Sequence, residues 1–367
     1  MVAIGTFLAD FTGRPSLLSK RREEESTWYT LALARSTCFP LFVGSCVFAL
    51  RVSRGIYRGR LRDSTRLIAQ QLWPRRPFMI VPEFEYLSPQ SVQEACALLM
   101  QYGANAKVLA GGSDLLVKMK DGLMKPAYLV SLKNLDSLKA IRYQIGAGVI
   151  IGARATHNEV MNNDILQAKY RSVCEAAHSM AADQIRNVGT IGGNLVNAVP
   201  SADLPPILIA LDSQARIVGT SRERTIPLED FFLGPGMTAL ESGEILAEII
   251  IPDQPTTGSN YIKFGLRRAG ALAVAGVASS VTVSEGTCQD ARIVLGAVAP
   301  TPMRARQAEK VLRGKKISQE LIAEAGRVAA VESKPINDIR GSIEYRRNLV
   351  NVLTKRSLKA AIEKGHV

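Results

Sequence analysis

The sequence predicts an α+β protein, and three observations carry that reading. From Met79 onward, short apolar runs alternate with stretches of helical spacing, and two of the junctions are Gly-Gly pairs, at 111–112 and 192–193. The last third has three strand-like runs followed by three helix-like ones, the order of an antiparallel sheet with helices on one face. Between the two regions lies Gln254–Asn260, QPTTGSN, the clearest linker in the chain.

The elements follow in order. Phe84-Glu85-Tyr86 reads as a short strand, and Ser88-Pro89 opens a helix that Gly103 ends near Gln101-Tyr102. Lys107–Leu109 is a buried strand that runs into Gly111-Gly112-Ser113-Asp114. Leu115–Lys120 begins the next element and Ala127–Leu132 is a strand, which completes a small β-α-β unit. Ile145–Ile151 reads as a strand pair. Thr156 and Glu159 have the spacing of a capping box at a helix start. Tyr170–Ala182 is a helix with alanines on its packing face, and Pro205 opens a further short helix. Ala215–Gly219, Thr225–Pro227 and Ile245–Ile251 are strands. In the last third, Tyr261–Leu266, Ala273–Val283 and Ala291–Val298 are predicted strands. Met303–Leu312, Gln319–Val331 and Ile343–Glu363 are predicted helices. No repeat of 20–50 residues runs through the chain.

A chain of 367 residues is long enough for two or three domains. Its formal charge of +13 is uneven, because residues 1–78 hold 13 Lys+Arg against 5 Asp+Glu, and 12 of those cations are Arg. Both tryptophans, Trp28 and Trp73, lie there too. This segment shows no sustained period of 2 or 3.6. Cys38–Leu50 is apolar but too short for a membrane span, and it sits too far in for an ordinary secretory signal. Residues 1–78 therefore read as an atypical basic leader outside the fold, as after a start codon placed too early. A targeting or nucleic-acid-binding extension and a monotopic anchor are the other readings. Residues 79–253 are expected to form the first domain and residues 260–363 the second. For the folded part no nucleic-acid partner and no membrane span are expected.

Cys38, Cys46, Cys96, Cys174 and Cys288 have no ligand spacing, so neither zinc nor an iron–sulfur cluster is expected in this chain. They read as buried thiols of a reducing compartment, the cytoplasm. His157, His178 and His366 are scattered and read as structural. There is no GxGxxG with a distal acid and no GxxxxGK[ST], so neither a Rossmann dinucleotide site nor a P-loop is indicated. No nucleophile–base pairing is recognisable, and no catalytic acid or base is expected.

The two Gly-Gly segments carry the chemistry. Arg186–Asp203, RNVGTIGGNLVNAVPSAD, reads as a backbone-rich loop, since each glycine in a packed helix costs roughly 1 kcal/mol against alanine. Without a Cβ the chain can approach a ligand closely and expose its N–H groups. Thr190 and Asn194 add polar side chains at its ends. Val108–Leu115, VLAGGSDL, has the same makeup: an apolar run, Gly-Gly, a hydroxyl and a carboxylate. Two separated phosphate-cradling loops suggest one dinucleotide held between them. Read alone, Asp203 is an N-cap for the Pro205 helix, Lys263 a surface charge and Leu246 a core leucine.

The segments VLAGGSDLLVKMKDG, TIGGNLVNAVPSADLPP, YIKFGLRRAGALAVAG and GSIEYRRNLV, in that order, resemble the FAD-binding medium subunit of the molybdenum hydroxylases, the carbon monoxide dehydrogenase and xanthine dehydrogenase type. The resemblance covers about Met79–Glu363. It implies a two-lobed FAD domain of the vanillyl-alcohol-oxidase (PCMH) type over 79–253, with lobes at about 79–132 and 133–253, followed by a CO-dehydrogenase flavoprotein C-terminal α+β domain over 260–363. Carried over by position, Val108, Leu109, Ala110, Gly111, Gly112, Ser113, Asp114 and Leu115 would wrap the FAD pyrophosphate. Thr190, Ile191, Gly192, Gly193 and Asn194 would form the facing loop. Asp203 would accept from a cofactor hydroxyl, Leu246 would pack on the cofactor, and Lys263 would reach the flavin region. The resemblance further implies electron relay, from the iron–sulfur clusters of a small subunit through FAD to an acceptor. A large subunit would carry molybdopterin, in a dimer of heterotrimers. The alternatives are a self-contained flavin-dependent oxidoreductase and a non-catalytic assembly or scaffold protein.

Overall fold

A computed structural model describes residues 81–253 and 258–364. The leader, residues 254–257 at the start of the linker and His366 lie outside the described residues, as do Cys38 and Cys46. Within the described residues the chain builds three main sheets around three apolar clusters, and the second and third sheets each contribute to two of them.

The first sheet is parallel. Strands β1 (Glu85–Leu87), β2 (Ala106–Leu109) and β3 (Tyr128–Ser131) lie in the order β1-β3-β2. Helix α1 (Val92–Tyr102) connects the first two. It is capped by Ser91, whose hydroxyl accepts from the Glu94 amide, and the Glu94 carboxylate accepts in turn from the Gln90 amide. Its buried face of Ala95, Cys96 and Leu99 packs on Val130 and, from later in the chain, on Val218, Ile245 and Ala247. Helix α2 (Leu115–Lys120) makes the second crossover.

The second sheet is antiparallel. It combines β4 (Ile141–Gln144), β5 (Gly148–Gly152), β6 (Gln214–Val218), β7 (Glu223–Pro227) and, drawn in later from the sequence, Ile245–Ile251. Hairpin strands β8 (Phe232–Gly234) and β9 (Met237–Thr238) precede that last strand, which is β10 at the sheet centre. Between β5 and β6 run six short helices: α3 (His157–Met161), α4 (Asp164–Lys169), α5 (Arg171–His178), α6 (Asp183–Arg186), α7 (Ile191–Val196) and α8 (Leu204–Ala210). All but α6 bury apolar residues with Val149, Ile151, Leu246, Ile249 and Ile251 of the sheet. The capping box expected at α3 is present, with Thr156 and Glu159 each bonded to the other's backbone.

The third sheet holds β11 (Gly258–Gly265), β12 (Ala273–Ser284), β13 (Thr287–Gly296) and β14 (Met303–Arg304) in chain order. Helices α9 (Arg306–Leu312), α10 (Gln319–Glu332) and α11 (Ile343–Lys364) cover one face. The expectation of helices on one face alone is incomplete, because α8 covers the other. A Cβ on Gly296 would lie 2.7 Å from the Pro206 ring. Ala273 to Val281 of β12 are buried without interruption, as a strand covered on both sides requires.

Several boundaries differ from expectation. The predicted strand pair at Ile145–Ile151 is a β4–β5 hairpin that turns there. The helix expected over Tyr170–Ala182 stops at His178, before Ala181 takes a left-handed φ of 40°. Gly258–Asn260 belong to β11 rather than to the linker, and Met303-Arg304 to β14 rather than to the helix. Among the described residues, no helix is long and apolar enough to cross a membrane.

Candidate functional site

The two Gly-Gly segments meet, but they differ in kind. The first leaves β2 at Ala110 and enters α2 at Leu115. Gly112 has φ of 72°, a conformation that L side chains rarely adopt. A Cβ on Gly111 would lie 1.9 Å from the Val188 carbonyl oxygen and 3.0 Å from the Gly189 Cα. Gly111 is therefore where the two segments touch, and no other residue fits that approach. Among the described residues, the amides of Gly111, Gly112, Ser113 and Asp114 donate to no protein acceptor. Four successive uncommitted donors on a turn are the backbone groups that an anion-binding concavity uses. The Ser113 hydroxyl lies 3.4 Å from an Asp114 carboxylate oxygen.

The second segment is a helix, which corrects the expected loop. Thr190 is the N-cap of α7, and its hydroxyl accepts from the Gly193 amide at 3.0 Å. The Ile191 amide donates to Ala155 O, the Gly192 amide to Ala153 O and the Asn194 amide to Thr190 O. All four amides from Ile191 to Asn194 are thus satisfied within the protein. Gly192 is required by packing, since a Cβ there would meet Ala153 O at 2.6 Å. The propensity cost of glycine in a helix is small beside that clash. This segment forms a wall for the first one rather than a second cradle of amides. Asn194 presents a buried Oδ1 without a hydrogen-bond partner, an acceptor suited to a ligand hydroxyl or amine.

Asp203 occupies the N-cap position of α8, as expected, but its side chain makes no capping bond. Its carboxylate accepts from the Tyr261 hydroxyl at 2.8 Å and from Lys263 Nζ at 2.6 Å. Lys263 also donates to the Ser179 carbonyl at 3.1 Å. It is not a surface charge: 11% of its side chain is exposed, against 7% for Asp203. Burial holds the Asp203 carboxyl above the usual carboxylate range, and the Lys263 charge and the two hydrogen bonds only partly offset it. The same burial, with Asp203 alongside, raises the Tyr261 phenol well above its ordinary value.

The remaining expected residues lie around this frame. Val108 and Leu109 are half-buried in β2. Ile191 and Leu246 are buried in one core cluster, so Leu246 offers little surface for direct contact. Lys118 Nζ ties α2 to Asn197, which ends α7, at 2.7 Å. Sequence reasoning missed Tyr261 and the Ser179 carbonyl. The available signal for Tyr261 was strand period, since Tyr261 and Lys263 alternate onto one face of β11. Cys96, Cys174 and Cys288 are free and buried, each thiol pushed up to about 11 chiefly by burial. His157 is buried and lowered to about 4 by burial and the nearby Arg186 charge.

Comparison with known proteins agrees with this layout. Residues 82–254 match the FAD binding domain in molybdopterin dehydrogenase, and residues 260–361 match the CO dehydrogenase flavoprotein C-terminal domain. The chain is 38% identical over 284 residues to a carbon monoxide dehydrogenase medium chain of Hydrogenophaga pseudoflava, an alignment covering 77% of this chain and 98% of that one. It is 30% identical over 266 residues to a xanthine dehydrogenase FAD-binding subunit of Escherichia coli O157:H7, covering 72% and 91%. A solved carbon monoxide dehydrogenase chain from Hydrogenophaga pseudoflava superposes with a TM-score of 0.75 at 39% identity, covering 78% of this chain and 99% of that one. Quinoline 2-oxidoreductase from Pseudomonas putida 86 gives 0.74 at 29% identity, covering 78% and 100%. Both matched regions are thus shared with these subunits in sequence, and the fold is shared in shape, so the chain belongs to the FAD-binding medium subunits of the molybdenum hydroxylases.

Proposed function

We propose that this chain binds one FAD between its glycine segments and serves as the flavoprotein component of a multi-subunit oxidoreductase. The observation that carries the reading is the row of uncommitted amides at Gly111–Asp114, pressed against Val188-Gly189. The residues present fit the cofactor. Val108–Leu115 hold the pyrophosphate through backbone donors. Thr190–Asn194 supply the facing wall, with Asn194 Oδ1 as an acceptor. Asp203 accepts from a cofactor hydroxyl with a lone pair left over from Tyr261 and Lys263. Lys263 fixes that carboxylate, and Leu246 backs the wall from the core.

FAD supplies the redox chemistry when bound, and the protein supplies binding, orientation and exclusion of water. No residue of this chain is assigned as acid or base toward an organic substrate. The partners are an iron–sulfur small subunit and a molybdopterin large subunit, as a dimer of heterotrimers in the cytoplasm. Residues 79–253 and 260–363 are the two working domains, and residues 1–78 lie outside them.

The test is to purify the chain alone, add FAD, and assay both flavin content and oxidation of organic substrates. One FAD per chain, with no turnover until partner subunits are added, is expected. Turnover by the chain alone would establish a self-contained flavin enzyme instead. Absence of a yellow chromophore after FAD addition would establish a scaffold protein.

A further inference from the structure

Helix α6 ends on Arg186, whose side chain is 12% exposed. Its guanidinium donates to the Met180 carbonyl at 2.7 Å and the His178 carbonyl at 3.3 Å. It also donates to Asn158 Oδ1 at 3.3 Å. The nearest carboxylate, on Asp183, lies 3.5 Å away and its side chain is 66% exposed. The main partners of this largely buried cation are therefore neutral oxygens. Desolvating a cation is costly, and an exposed carboxylate at that distance offsets it weakly. A rigid fork that grips several oxygens at fixed angles gives such a group a use.

What the fork grips is the turn Ser179–Ala182. Ala181 holds φ of 40° there, a strained value for a residue with a Cβ. The turn is tied at its two ends, where the Ser179 amide donates to Glu175 O and Ala182 O accepts from the Ile185 and Arg186 amides, whereas at its centre the Met180 amide reaches Ala177 O only at 3.3 Å. Yet the Ser179 carbonyl is the second acceptor of Lys263, whose first is Asp203. On its other side Arg186 holds Asn158, which donates to Asn187 Oδ1 at 2.6 Å. Asn187 directly precedes Val188, the residue whose carbonyl abuts Gly111. One side chain thus joins the Lys263–Asp203 end of the site to the Gly111 end.

We propose that Arg186 is a positioning residue for the FAD site, clamping the Ser179–Ala182 turn and the Asn158–Asn187 bridge so that Lys263 and the Val188–Gly111 contact stand at the spacing the cofactor needs. This rests on the FAD reading above. No contact between Arg186 and the cofactor is implied.

The test uses the full chain with Arg186→Gln and Arg186→Lys. FAD affinity is read by titration of flavin fluorescence, and amide hydrogen exchange of residues 178–188 is read without FAD. Arg186→Gln is expected to weaken FAD binding by about ten- to a hundredfold, since it loses charge-assisted bonds to several oxygens. It is also expected to speed exchange across Ser179–Ala182 in the FAD-free protein. Arg186→Lys, with one donor group in place of the fork, is expected to fall between Arg186→Gln and the wild type in both measurements. A group that only stabilises the fold would lower the melting temperature and leave the affinity of the folded fraction unchanged. Wild-type affinity in Arg186→Gln overturns the proposal. So does weakened affinity with wild-type exchange in the turn, which would point to a charge effect instead. If Arg186→Gln does not fold, Arg186→Lys decides by the same two criteria. A wild-type chain that binds no FAD sinks the cofactor reading, whereas the exchange data still decide whether the clamp exists.

Discussion

Lys263→Met tests the pair that links the third sheet to the glycine segments. The substitution keeps most of the apolar stem and removes the one cation bonded to Asp203 among the described residues. Asp203 is 5% exposed and would retain only the Tyr261 hydroxyl. Removing one partner of a buried ion pair costs about 3–5 kcal/mol, because the remaining charge is left in a medium that solvates it poorly. The carboxyl can escape part of that cost by binding a proton. Burial already raises it in the intact protein, and losing Lys263 removes the opposing effect. The sign follows: an acid raised in the folded state stabilises fully below its unfolded value near 3.8, and that stability is lost as pH rises through the folded value. Lys263→Met should thus lose more stability at pH 8 than at pH 5. Urea unfolding followed by circular dichroism at several pH values measures this. Lys263→Met with Asp203→Asn should recover part of the loss, since no charge then remains. A loss below about 1 kcal/mol at pH 8, or a pH-independent one, would refute the assignment of a buried, coupled pair.

Gly111→Ala should abolish FAD retention, because its Cβ would overlap the Val188 carbonyl at 1.9 Å, and Gly192→Val should do the same through Ala153. Both should leave the third sheet folded, and full flavin occupancy in either variant would contradict the site. His157, lowered to about 4 in the fold against 6.5 when free, should cost stability as pH falls from about 6.5 to 4. The loss should total about 3 kcal/mol and be absent in His157→Asn, and an identical acid limb in both proteins would contradict it. A chain beginning at Met79 should fold and bind FAD as the full chain does, and loss of cofactor on truncation would show that the leader takes part.

What was legible in the sequence was local. The Thr156–Glu159 capping box, the Gly112 turn and the strand runs depend on residues close in sequence, and the structure contains them. The misreadings are long-range. Thr190–Asn194 was expected as a loop because propensity disfavours Gly-Gly in a helix, whereas close packing on Ala153 outweighs propensity. That the Asp203 carboxylate is bonded across the fold instead of to the α8 amides depends on Lys263, 60 positions away. Which of the two segments keeps its amides uncommitted was equally hidden. It is decided by Ala153 and Ala155, which occupy the donors of Ile191 and Gly192.

Hydrogen exchange with and without FAD tests most directly which segment holds the cofactor. The amides of Gly111–Asp114 should exchange fast in the free protein and become protected when FAD binds, while those of Ile191–Asn194 should be protected in both states. Stoichiometric FAD with unchanged exchange at Gly111–Asp114 would contradict the account.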